Sequence, residues 1–201
     1  MNRNNTALVV IDIVNSTCHE KCETPEYGIT FNKIREMVPR LAKFVDDYRD
    51  GFNKNIYFVN LTPWTKEYLP QNIQNLYENP DVEYYGGDSF EEEFYVVQPQ
   101  ETDTIITKNT YDAFSVPEFE KSLRAKGIQN LVICGVFTDG CVLSTIINGF
   151  SRGFDFIILK DIVETTDSPV RQELQTALLE YTLPMQYGKV MTGDELLEGQ
   201  K

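Results

Sequence analysis

The feature that most restricts how this chain can fold is a rhythm of short, unbroken apolar runs separated by stretches with helical periodicity. Ala7-Leu8-Val9-Val10-Ile11 is apolar at every position and stops at Asp12. A strand with one wet face alternates apolar and polar residues, whereas a strand apolar throughout is covered on both faces, as in a parallel sheet. Comparable segments lie at Asn55 to Leu61, Thr104 to Thr107, Leu131 to Cys134 and Phe156 to Leu159, with a weaker candidate at Met185 to Val190. Ile34, Met37, Val38, Leu41, Phe44, Val45 and Tyr48 recur at steps of three and four before Gly51, which spells an amphipathic helix over Phe31 to Tyr48. Further helices are expected at Pro117 to Lys126, Asp139 to Arg152 and Pro169 to Tyr181, punctuated by Gly127, Gly153 and Ser168. This alternation predicts an α/β fold of three layers, helix, sheet, helix, around a mainly parallel six-stranded sheet with right-handed crossovers. In such folds the reactive groups gather beyond the carboxyl ends of the strands.

Composition narrows the function. The 201 residues, 41% of them hydrophobic, suit one domain over 1–201 with its own core. A net charge of −13, with no Lys/Arg cluster to offset it, repels phosphate backbones and anionic lipid, so neither nucleic acid nor a membrane is expected as a partner. No run approaches the roughly 18 to 20 apolar residues of a membrane span, and Met1 to Asn5 lacks the core of a signal peptide, so a cytoplasmic location is expected. Four cysteines are too few for a disulfide scaffold and read as reduced thiols. The single histidine, His19, cannot supply both a His-rich metal site and a Ser-His-Asp triad. Cys18-His19-Glu20-Lys21-Cys22 has no closed zinc spacing and reads as a loop beside the site, where His19 or Cys18 could touch substrate. The stretch at about 62–103 breaks the rhythm with Pro63, Pro70, Pro80 and Pro99. It is nevertheless rich in aromatics, among them Trp64, Tyr77, Tyr84, Tyr85 and Phe90, and such a long ordered excursion serves as a lid or a subunit contact.

Three residues sit where chemistry is expected. Cys141 falls in the turn between the strand Leu131 to Cys134 and the following helix, near a helix N-terminus whose amides and dipole favour a thiolate and could hold an oxyanion. A small buried hydrophobe is the other reading of such a cysteine. Asp12 ends the first strand and could equally cap a turn. Lys108 follows the third strand and could equally be a solvated surface lysine. Converging at strand ends, the three make a workable group: the carboxylate takes the thiol proton and the ammonium steadies both charges. Trp64, Tyr111, Phe114 and Phe137 are candidates to grip a small planar substrate, or else belong to the core.

Val9-Val10-Ile11-Asp12, Lys108-Asn109-Thr110-Tyr111-Asp112-Ala113-Phe114 and Gly135-Val136-Phe137-Thr138-Asp139-Gly140-Cys141-Val142 occur in an order and spacing that resemble the isochorismatase-like cysteine hydrolase superfamily, which includes nicotinamidases and N-carbamoylsarcosine amidohydrolases. The resemblance covers nearly the whole chain and implies the Rossmann-like hydrolase fold of that superfamily. It also implies a catalytic triad of Asp12, Lys108 and Cys141, a cis peptide between Val136 and Phe137, an oxyanion hole from the amides of Phe137 and Cys141, and a homo-oligomer. Where nicotinamidase-like members carry an Asp-x-His metal pair, this chain has Asn60-Leu61-Thr62-Pro63-Trp64. No metal and no cofactor are therefore expected. Isochorismatases proper lack the cysteine, so Cys141 implies hydrolysis of a carbon–nitrogen bond in a small amide or carbamoyl compound through a thioester. Asn15, retained in the loop after Asp12, is expected at the substrate. The alternative is a catalytically silent member that binds a ligand or partner through the 62–103 segment.

Overall fold

The computed structural model describes residues 2–76 and 89–199. Six strands, β1 (Thr6–Ile11), β2 (Ile56–Leu61), β3 (Thr104–Lys108), β4 (Asn130–Val136), β5 (Asp155–Glu164) and β6 (Gly188–Met191), form one sheet in the order β3-β2-β1-β4-β5-β6. Every pairing is parallel. Leu8 and Val10 of β1 face one apolar cluster with the helix Asn32–Gly51 and with Leu196 of the helix Gly193–Glu198. Ala7, Val9 and Ile11 face the other, built with Phe119 and Leu123 of the helix Pro117–Ala125 and Ile146 of the helix Leu143–Ser151. This two-sided burial is why β1 is apolar throughout, and it produces the expected three layers.

Several boundaries differ from the sequence expectation. The sixth strand starts at Gly188, while Met185 lies in the short helix Leu183–Gln186 with its side chain exposed. β5 runs on through Lys160 and Asp161 to Glu164 after a register shift opposite Ile133 and Gly135, and those polar residues hide its second half. The helix expected from Asp139 begins as a wide, π-type turn over Thr138–Val142, because Gly140 (φ −122°, ψ −105°) leaves the helical region; regular α-helix starts only at Leu143. Cys141 therefore sits inside that turn.

Two contacts fix the strand ends that matter for function. Gly135 pairs with Ile11, has φ +111°, and a Cβ there would meet the Ile11 carbonyl oxygen at 2.1 Å, so only glycine lets β1 and β4 approach this closely. Across the layers, Asp167 accepts hydrogen bonds from the backbone amides of Asn32 (2.8 Å) and Lys33 (2.9 Å). The N-terminus of the long helix is thus capped by a residue from the loop after β5, in a contact class worth about 0.5–2 kcal/mol.

Of the excursion at about 62–103, residues 77–88, including Tyr77, Pro80, Tyr84 and Tyr85, lie outside the described residues. On the near side Trp64, Leu69 and Ile73 pack with Leu61. On the far side a short helix, Ser89–Glu92, leads into a segment stapled to the exit of β1. The amide of Asn15 donates to the Glu93 carbonyl (2.9 Å) and the amide of Tyr95 to the Ile13 carbonyl (2.9 Å). No helix among the described residues is long and apolar enough to cross a membrane.

Candidate active site

The carboxyl ends of β1, β3 and β4 meet at a buried cluster of charge. Lys108 Nζ lies 2.8 Å from Asp12 Oδ2 and 3.4 Å from Cys141 Sγ, with Lys108 and Asp12 essentially without exposed surface. β3 is not adjacent to β1: Lys108 pairs with Leu61 at the end of β2, accepts the Thr62 amide on its own carbonyl, and reaches past β2 to Asp12. The three residues thus converge from strand ends that are not all adjacent, and the alternative of a solvated lysine does not describe this side chain. Asp12 has φ +51°, an uncommon conformation for a residue with a Cβ, and the Thr17 hydroxyl donates to its carbonyl. The turn that redirects the chain after β1 is also what swings the carboxylate to the sheet end.

The electrostatics of the cluster follow from its dryness. Burial pushes the Asp12 carboxyl above its ordinary range, only partly opposed by Lys108 and Cys141. Burial acts to lower Lys108, but the Asp12 carboxylate and the Cys141 sulfur outweigh it, and the ammonium is held upward and charged. Burial first, and then the Asp12 carboxylate, push the Cys141 thiol up to about 12, against the pull of Lys108. The expectation that a helix N-terminus lowers this thiol is therefore corrected: the wide turn places Cys141 before the regular helix, and burial dominates. The resting arrangement is a thiol beside an Asp–Lys ion pair. Asp12 Oδ1, buried and with no hydrogen-bond partner among the described residues, is an oxygen available to receive the thiol proton.

Above this floor opens a cavity of about 440 Å³, with Cys141 at its base. Phe137, Trp64 and Tyr111 line it, and the rings of Trp64 and Tyr111 stand 5.8 Å apart. The Val136–Phe137 peptide is cis. The Phe137 carbonyl accepts the amides of Gly140 (2.9 Å) and Val142 (3.2 Å), which folds the turn around Cys141. Two residues expected at the substrate lie elsewhere. Phe114 is buried in the core against Phe119 and Phe154, on the far side of the helix Leu143–Ser151, where Gly149 leaves room for its ring. The side chain of Asn15 is buried and donates to the Phe90 carbonyl (2.8 Å), tying down the Ser89–Glu92 helix. His19 contacts the rings of Phe90 and Tyr95 and is not among the lining residues, and neither is Cys18, which is buried.

Other lining residues escaped the sequence. Ser144 follows Cys141 by three positions, a helical spacing that could have exposed it. Glu91, Glu92 and Arg171 arrive from distant segments, and no local pattern marks them. Arg171 makes a two-point ion pair with Asp139 (2.7 Å and 2.7 Å) and lies over the Phe137 ring at 4.8 Å. Burial acts to raise Asp139, but Arg171 and the Thr165 hydroxyl outweigh it and hold that carboxyl below its ordinary range.

A six-stranded parallel α/β sheet carrying an Asp, a Lys and a Cys at its strand ends defines an isochorismatase-like hydrolase fold. Residues 6–195 match the isochorismatase domain, and the chain belongs to that family of hydrolases. The ureidoacrylate amidohydrolase RutB of Azorhizobium caulinodans is 27% identical over 171 residues, spanning 78% of this chain and 74% of that protein. Among solved structures, a cysteine hydrolase from Pseudomonas syringae pv. phaseolicola superposes with a TM-score of 0.83 at 22% identity, covering 98% of this chain and 93% of that one. The N-carbamoylsarcosine amidase of Thermoplasma acidophilum gives a TM-score of 0.69 at 22% identity, covering 94% and 97%.

Proposed function

We propose that this protein hydrolyses a carbon–nitrogen bond of a small amide or carbamoyl compound, with Cys141 as nucleophile, Asp12 as proton carrier and Lys108 as the fixed positive charge. The observation that carries the reading is the triad itself: a thiol 3.4 Å from a buried ammonium that is ion-paired at 2.8 Å to a carboxylate with a second, unpartnered oxygen. With its pKa pushed up to about 12, the thiol is not a standing thiolate. It is deprotonated as it attacks, its proton passing to Asp12, whose own raised pKa makes the carboxylate a stronger base than an ordinary one. Lys108 stabilises the sulfur as charge develops on it, and the amides of Phe137 and Cys141 receive the oxyanion. Asp12 returns the proton to the departing nitrogen as the C–N bond breaks. Water then opens the thioester with Asp12 again as base, releasing the acid and restoring the thiol. Trp64, Tyr111 and Phe137 hold the substrate, and the described ends of the excursion, Thr62 to Trp64 and Glu91 to Glu92, wall the site against bulk water. The names of the amide-hydrolysing relatives support the reaction class.

The test is ammonia release from a panel of primary amides and carbamoyl or ureido compounds, with mass spectrometry of acid-quenched enzyme. Turnover with an acyl adduct on Cys141, and a loss of at least about 10³-fold in kcat for Cys141→Ala with folding retained, are the expected results. Turnover by the variant within tenfold of the parent would remove Cys141 from this role.

A further inference from the structure

The reading above leaves open what the substrate carries away from the bond that breaks, and the charges around the cavity bear on this. Four lining residues among those described carry charge: Glu91, Glu92, Asp139 and Arg171. The one cation among them is committed along its Nε–Nη2 edge to Asp139, turns Nη1 toward the Thr166 hydroxyl (3.4 Å) and rests its plane on Phe137. A substrate carboxylate seeking the Nε–Nη2 edge would have to displace a two-point ion pair, and the positive charge left for it is already balanced by Asp139. Lys108 offers nothing either, being buried beneath the cavity between Asp12 and Cys141.

The other side of the cavity is built for the opposite charge. Glu92 is half-buried and makes no ion pair or hydrogen bond within the described residues, while Glu91 beside it has partners of its own. Both are held in place by the staples from Asn15 to Phe90 and Glu93. Trp64 and Tyr111 present tilted aromatic faces in the same cavity, and such faces attract organic cations. Carboxylate and aromatic rings together are the chemistry that recognises an ammonium or guanidinium group.

Resting on the hydrolase reading, we propose that the substrate is a small amide or ureido compound bearing a positive charge at the end remote from the scissile bond, bound by Glu92 and the Trp64–Tyr111 rings. Carboxylate-bearing compounds are disfavoured by the same wall.

A substrate-independent test reads the charge of the cavity at Cys141. Three methanethiosulfonates of similar size are compared at pH 9: a trimethylammonioethyl reagent, a neutral alkyl reagent and a sulfonatoethyl reagent. In each case the Cys141 sulfur, passing its proton to Asp12, attacks the divalent sulfur of the thiosulfonate, a mixed disulfide forms and methanesulfinate leaves. Rates on the Cys141 peptide are divided by those on a small free thiol. The expected result is a cation-to-anion ratio of about tenfold or more, cut severalfold by Glu92→Gln. Glu180→Gln makes the same change in net charge at an exposed position beyond the far end of the Pro169–Ala177 helix, and should leave the ratio unchanged. A ratio of one or less, or a ratio indifferent to Glu92→Gln, overturns the proposal. Amides matched in length and ending in trimethylammonium, methyl or carboxylate should then rank in that order in kcat/KM; a carboxylate at the top overturns it as well. Charge bias at Cys141 without ammonia release from any amide would instead sink the hydrolase reading and leave the charge assignment standing.

Discussion

The floor and the mouth of this site are built on different physical terms. The floor is three side chains from three strand ends, dry and locked by ion pairing: Asp12, Lys108 and Cys141 are each less than a tenth exposed. The mouth is assembled from loops and short helices, with half-buried aromatics and carboxylates held by a handful of backbone hydrogen bonds. The floor has one arrangement because uncompensated charge there is costly. The mouth can change residue by residue at little cost, which is where a family that keeps its chemistry alters its substrate.

That contrast can be broken most forcefully at Lys108. Lys108→Met leaves Asp12 as an unpaired buried charge, and a loss of about 3–5 kcal/mol of stability is expected together with the loss of turnover, read by urea denaturation and ammonia release. A change under 1 kcal/mol would mean that the floor is wetter than its geometry shows.

A pH profile sharpens the same contrast. Asp12 is raised above 3.8 in the folded chain, so kcat/KM should climb as pH rises through a pKa above that value and then level, with no second rise at an ordinary thiol pKa. In stability the sign is reversed. The folded state binds this proton more tightly than the unfolded one, so the contribution of Asp12 is greatest below 3.8 and is lost as pH rises through its folded value. Comparing urea midpoints of the parent and Asp12→Asn across pH 3 to 7 checks the direction.

The smallest effect is expected at the mouth. Asn15→Ala removes one hydrogen bond to the Ser89–Glu92 helix, worth about 1 kcal/mol, and should raise KM several-fold while kcat stays within about twofold. Equal losses in kcat would show that floor and mouth are not separable.

The same division explains what the sequence disclosed. The strands were legible because burial on both faces leaves an apolar run; Asp12, Lys108 and Cys141 stood out as a group only through the family motifs around them, since position after a strand left each with a bland alternative. β5 beyond Leu159 was not legible, since Lys160 and Asp161 interrupt the apolar signal although the backbone continues to pair. For Phe114 the core alternative is the one the structure shows, and nothing in a one-dimensional pattern says whether an aromatic six residues after Lys108 turns toward the cavity or toward Phe154. Asn15, expected at the substrate, turns its side chain instead to the backbone of a segment 75 residues away, a partnership visible only in three dimensions.

The strand order carries a consequence for how the chain is made. β1 lies between β2 and β4, so a chain synthesised from its N-terminus can pair β1 with β2 and β2 with β3 while the other edge of β1 stays open until Asn130 to Val136 emerges. During that interval an entirely apolar edge is exposed, the kind of template on which nascent chains pair wrongly. Gly135, which must close against Ile11, then completes the sheet and draws Cys141 toward Asp12 in the same event. Nascent chains stalled before residue 130 should therefore be the ones that need a chaperone, and in the finished sheet Cys141 never stands apart from Asp12.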